Sequence, residues 1–165
     1  MSCQQQIPLC QICDHYVNAH DRTPSHTSLG VENRLRAVPV RIAPSGLGNI
    51  NPIVIVAANS DCKFFLNIKN YDSNLAMFWI SVCGTQIEAE SYEYELKILN
   101  STENRAKEMY LFTGKRGCVP CDVSYEDMKQ KGSALFLNKD MLESAANQIE
   151  GKFLKIDCTL LIKKK

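Results

Sequence analysis

Two cysteine pairs and a short run of histidines are the residues of this chain with the most obvious chemistry to offer. Cys10 and Cys13 stand two residues apart in "LCQICDHYVNAHDRTPSH", and all three histidines of the sequence follow them, at His15, His20 and His26. A Cys-x2-Cys knuckle gives two thiolates to a tetrahedral zinc from one tight turn, and the other two ligands must come from elsewhere. His15 follows Cys13 too closely to swing round, whereas five residues separate His20 from His26, within the usual interval for a histidine pair. The expected site is one zinc ion held by Cys10, Cys13, His20 and His26. Only six residues lie between Cys13 and His20, against about twelve in a nucleic-acid-reading finger. A vestigial finger in a polar terminal segment is therefore the competing reading.

The second pair, Cys118 and Cys121, sits in "EMYLFTGKRGCVPCDVSYEDMKQ". An apolar strand, a Cys-x2-Cys and a following helix is the local order of a thiol oxidoreductase, whose first thiol is activated by the helix N-terminus. Two features oppose that reading. Residues 76 to 113 are expected to be consecutive strands with no helix between them, so the preceding βαβ unit is missing. No proline follows Pro120 to serve as the cis-proline of such a site. The plainer alternative is a pair of cysteines in a connecting loop. No serine, histidine and acid arrangement can be assembled, because every histidine lies in the first 26 residues. "SGLGN" (45 to 49) has only two glycines and no lysine, which does not make a phosphate loop. Catalysis finds no support in these residues.

The elements that must carry these groups follow from patterning. The 165 residues suffice for one core-bearing domain and a small appendage. Composition changes near residue 36, which divides a polar, finger-like segment (1 to 36) from a domain (37 to 165). The latter is a series of short apolar runs: "AVPVRI", "PIVIVA", "CKFFLNI", "AMFWISVCG", "SYEYELKIL", "KEMYLFTG", "ALFLN" and "KFLKIDCTLLI". Tyr92, Tyr94, Leu96 and Ile98 alternate with Glu93, Glu95 and Lys97, and Leu154, Ile156, Cys158, Leu160 and Ile162 alternate with polar neighbours. That is the period of half-buried strands. Eight such runs predict a mainly β fold, an eight-stranded antiparallel β-sandwich. In "LNKDMLESAANQIEG" the apolar residues Met141, Leu142, Ala145, Ala146 and Ile149 recur at helical spacing. This predicts one short helix between an Asn138 N-cap and a Gly151 stop.

Charge narrows the partners. Lysine plus arginine number 19 and aspartate plus glutamate 18, too even a balance for a dedicated polyanion binder. Arg22, Arg34, Arg36 and Arg41 are the residues a nucleic-acid reading would use as phosphate contacts. No apolar run reaches the roughly 18 to 20 residues of a membrane span, and the N-terminus lacks the features of a signal peptide. A soluble protein of the cytoplasm or nucleus, with reduced thiols, is the expectation.

In "FFLNIKNYDSNLAMFWISVCGTQIEAESYEYELKI" a strand, a Tyr-Asp turn and an aromatic-rich strand lead to Gly84-Thr85. Ala89-Glu90 and a strand carrying Tyr92, Tyr94 and Leu96 follow. "FLNKDMLESAANQIEGKFLKIDCTLLI" then supplies a strand, a short helix, an Asn/Gly turn and a final strand. This ordered set, from about residue 37 to 163, resembles the TRAF-like substrate-binding domain of the Seven-in-absentia (Sina/Siah) family. The resemblance implies a dimeric, non-catalytic module that binds an extended protein segment by strand addition. In that family a RING recruits the ubiquitin-charged E2 enzyme. A RING needs eight zinc ligands, and the region around Cys10 offers four, so ligase chemistry would come from a partner E3 ligase. The resemblance places the peptide groove along "NPIVIVA", where a tryptophan and a methionine of the family fall near Ile53 and Ile55. Pro52 suits an edge strand, having no N–H to leave unpaired. Ile53 and Ile55 as core or dimer-interface residues is the alternative.

Overall fold

The structure, a computed structural model, describes residues 34–42, 50–56, 63–70, 74–99, 110–150 and 153–165. In chain order these form β1 (Arg34–Ile42), β2 (Ile50–Val56), β3 (Lys63–Asn70), β4 (Leu75–Val82), α1 (Gln86–Glu90), β5 (Tyr92–Leu99) and β6 (Tyr110–Gly117). There follow β7 (Val119–Pro120), α2 (Tyr125–Gln130), β8 (Leu135–Asn138), α3 (Lys139–Ser144), β9 (Ala146–Glu150) and β10 (Phe153–Lys164). The fold is mainly β, as the alternation predicts. Each of the eight apolar runs becomes a strand, and the short β7 and β9 bring the described strands to ten.

The strands make two five-stranded sheets. In the first, β1, β10, β5 and β6 are neighbours in that order, and β9 also pairs with β10. Residues 154 to 156 of β10 pair with both β1 and β9, so those two strands lie on opposite edges of it. The second sheet runs β2, β3, β4, β7, with β8 pairing along the other half of β4. All pairings are antiparallel except that of β4 with β7, which is parallel.

One core joins the two sheets. Alternate residues of β3 and β4 (Phe64, Leu66, Ile68, Phe78, Ile80, Val82) cluster with alternate residues of β5 and β10 (Tyr94, Leu96, Ile98, Ile156, Cys158, Leu160, Ile162). The Tyr94 hydroxyl reaches across, donating to the carbonyls of Phe78 at 3.3 Å and Ser133 at 3.0 Å. Gly114 lies on the core-facing register of β6 opposite Leu96. A Cβ there would come within 2.6 Å of Leu135 Cδ2, so the absent side chain permits the close approach of β6 and β8.

The helices depart from expectation in three places. A helix α1 interrupts the run of strands expected over residues 76 to 113. It is nucleated by a capping box: Glu88 N–H donates to Thr85 Oγ1 (3.2 Å) while the Glu88 carboxylate accepts from Thr85 N–H (2.7 Å). The Thr85 N–H and the Thr85 hydroxyl, which donates to the same carboxylate at 3.0 Å, hold the Glu88 carboxyl below its ordinary value. Asn138 does cap α3, accepting from Asp140 N–H at 2.8 Å, but that helix ends at Ser144 rather than near Gly151. Residues 146 to 150 are instead β9, because Glu150 and Ile149 pair with Phe153 and Leu154 of β10. The third is one of number: beside the one short helix that the fold prediction allowed stands α2, the helix read after the second cysteine pair. Ser124 caps it, and it closes on Gly132 at φ +63°. There Ser133 N–H donates to Met128 O and Gly132 N–H to Lys129 O, the left-handed stop that glycine adopts without strain.

Candidate functional site

The resemblance places a binding edge along "NPIVIVA" (51 to 57), and the topology makes β2 the end strand of its sheet. Its ladder partner is β3, and no other strand pairs with it among the described residues. The ladder shifts between Ile50 and Ile53, at the proline, in keeping with the confinement of strand prolines to edges and bulges. From there Ile53 pairs with Leu66, Val54 with Phe65, Ile55 with Phe64 and Val56 with Lys63. Directly paired residues share a sheet face. Positions 53 and 55 are therefore in register with Leu66 and Phe64, which are 0 % and 1 % exposed in the inter-sheet core. As an end strand β2 offers a partner its main chain, a row of N–H and C=O groups at strand spacing.

The neighbouring strand is stiffly held. Asn67 Nδ2 donates to Phe65 O and to Ser81 Oγ, both at 2.9 Å, fixing β3 against β4 on the face opposite the main core.

The second cysteine pair is not a pair in space. Positions three apart along an extended chain lie on opposite faces. Cys118 turns into the main core at 5 % exposure, whereas Cys121 is half-buried outside it. Burial pushes the Cys118 thiol up to about 12, an effect the positive charge of Lys165 opposes and the carboxylate of Glu93 reinforces. A redox-active first cysteine needs the reverse shift. Nor does Cys118 meet a helix N-terminus, since α2 begins at Tyr125 behind the Ser124 cap. Between the cysteines, Val119 and Pro120 are a strand paired with Ser81 and Val82 rather than a loop.

Cys10, Cys13, His20 and His26, the expected zinc ligands, lie outside the described residues, as does Arg22. Arg34, Arg36 and Arg41 are spread along β1, at the edge of the first sheet. Among the described residues no group of three or more His, Cys, Asp and Glu side chains is placed to hold a metal ion. Also among them, no helix is long and apolar enough to cross a membrane. The feature sequence reasoning missed is α1, which exposes Ile87 at 81 % and buries Ala89. Its signal was available in "TQIE", a Thr-x-x-Glu capping box. In comparisons with known proteins, no family model and no curated protein matches the chain.

Proposed function

We propose that this chain is a non-catalytic protein-recognition module, similar to the Sina/Siah substrate-binding domain, that captures an extended protein segment by strand addition along β2. The observation that supports this is the position of β2: an end strand, bulged at Pro52, with one described ladder partner. Its backbone can extend the second sheet by one strand, and main-chain hydrogen bonds would carry the affinity. In this reading the two sheets form a TRAF-like sandwich that works as a homodimer. The N-terminal segment holds one zinc on Cys10, Cys13, His20 and His26 in a structural or partner-facing role, and a partner E3 ligase supplies ubiquitin transfer.

The test is amide hydrogen exchange on the full chain, free and with a partner recovered by affinity purification. Slowed exchange over residues 50 to 56 on binding is the expected result. Protection confined to other strands would move the site away from β2. Ile53 and Ile55 are in register with the buried Leu66 and Phe64, so their replacement by aspartate tests folding as well as binding and the backbone readout is the cleaner one. Incubation of the purified chain with E1, E2 and ubiquitin should give no autoubiquitination, and robust modification would overturn the non-catalytic reading.

A further inference from the structure

Cys121 loses Cys118 as a partner and gains another. In the parallel pairing of β4 with β7, Ser81 stands beside Val119 and Val82 beside Pro120, so the next position in register sets Cys83 beside Cys121. The faces agree. On β4, Val82 belongs to the main core and Met77 to a second cluster on the opposite side of the sheet. On β7, Val119 belongs to that second cluster with Met77. Alternation from Val82 and from Val119 through Pro120 carries Cys83 and Cys121 to the same outer face. Both backbones are fixed: Cys83 N–H donates to Lys63 O at 2.9 Å and Cys121 N–H to Val82 O at 3.2 Å. Both thiols are half-buried and neither is in a disulfide, while Cys118 and Cys158 are fully buried.

We infer that Cys83 and Cys121 form a vicinal dithiol on the outer face of the second sheet, an oxidative modification site that a hydroperoxide closes to a disulfide between β4 and β7. Adjacent strands lie about 4.8 Å apart, inside the roughly 4.4 to 6.8 Å between α-carbons that a disulfide spans. Each cysteine also sits just beyond its strand's last paired residue. The chemistry balances with the peroxide as oxidant. One thiolate attacks a peroxide oxygen, the O–O bond breaks, and a sulfenic acid forms with release of hydroxide. The second thiolate then attacks that sulfur, forms the S–S bond and expels hydroxide. The two protons given up by the thiols convert both hydroxides to water, so two thiols and one hydrogen peroxide become one disulfide and two waters. The bridge would tie the end of β4 to the segment that leads into α2, and so pin the layer that covers this face.

The experiment treats the full-length reduced protein with a small excess of hydrogen peroxide, blocks remaining thiols, and maps disulfides by mass spectrometry of unreduced tryptic peptides. The expected product is a peptide containing Cys83 joined to the one containing Cys121, in a species that migrates as a monomer and reverts with dithiothreitol. The linked peptide should vanish in Cys83→Ser and in Cys121→Ser and persist in Cys118→Ala. Because Cys118→Ala removes a core side chain and can impair folding, fragmentation of the wild-type linked peptide independently assigns the bond to residue 121 or 118. A bond to Cys118, a link from Cys83 to any other cysteine, a disulfide-linked dimer, or separate sulfinic acids at the two positions would overturn the inference.

Discussion

The two sheets share one core but differ in what lies on their outer faces. In β5 burial alternates residue by residue, and of its outward positions Glu93 stands beside Lys163 of β10, Glu95 beside Lys115 of β6, and Lys97 between Thr113 and Thr159. In β4 burial is nearly continuous, because Met77 packs outward with Val119, Met128 and Ala134, and Trp79 and Val123 lean on the same cluster. The composition of each strand records the difference: "YEYELKI" alternates, whereas "AMFWISV" is apolar at every position but Ser81. A strand covered on one side needs every second residue apolar, and a strand covered on both needs nearly all. The cover is the segment from β7 through α2 to β8, anchored by Met128 at 1 % exposure.

The comparison predicts an order of stabilities. Phe78, fully buried between the sheets, should be the most costly to truncate. Phe78→Ala is expected to lose about 3 to 5 kcal/mol by removing ring contacts with both sheets and leaving a cavity, read as a fall in the urea midpoint. Met128→Ala should cost less, about 2 kcal/mol, because the outer cluster is small and α2 can settle towards the sheet. It should also change the emission of Trp79, the single tryptophan of the chain, which packs against that cluster. If Met128→Ala cost as much as Phe78→Ala, the outer layer would be an integral part of the main core rather than an addition to it.

The alternation of the one-sided strands is legible in the sequence, whereas the sequence reading gives β4 no second cover and names no partners across either sheet. The alternation of β5 and β10 and the Asn138 cap rest on local chemistry and appear where expected. The end of α3 was misread because Ala146 and Ile149 fit a helical stripe, yet the same residues fit a strand once β10 stands beside them. Gly151, the expected helix stop, lies outside the described residues. Pro52 marked β2 as an edge, but only the register with β3 reveals that positions 53 and 55 share the face of Leu66 and Phe64. The neighbourhood of Cys83 and Cys121 depends on a parallel pairing between elements far apart in sequence, and no local pattern announces it.

Between the two regimes lies Tyr94, whose ring belongs to the shared core and whose hydroxyl holds Ser133, at the far end of the outer layer. Tyr94→Phe leaves two carbonyls without that donor and should cost about 1 to 2 kcal/mol. Alkali probes the same neighbourhood. Burial raises the Tyr94 phenol, and the nearby Cys118 reinforces the shift. Cys118 itself is raised from 9.0 to about 12. A raised folded-state value means that the unfolded chain releases its proton first. The stability contributed by the neutral thiol is complete below pH 9.0 and is lost as the pH climbs through about 12. The urea midpoint should fall across that window, and the fall should be shallower in Cys118→Ala when each protein is compared with itself at neutral pH.

The smallest effect belongs to the open face. Lys97 Nζ lies 3.6 Å from Glu95 Oε1 on the outer side of β5, with both side chains partly in solvent. Water and salt screen such a pair, and holding two long side chains together costs rotamer entropy. Lys97→Ala should therefore shift stability by no more than about 0.5 kcal/mol, a difference that shrinks further at high ionic strength. A double-mutant cycle with Glu95→Ala isolates the pair from the loss of the lysine stem, which covers apolar surface of its own. A coupling above about 1 kcal/mol would mean that this face is shielded from solvent as the α2 side is, and the contrast between the two sheets would fail there.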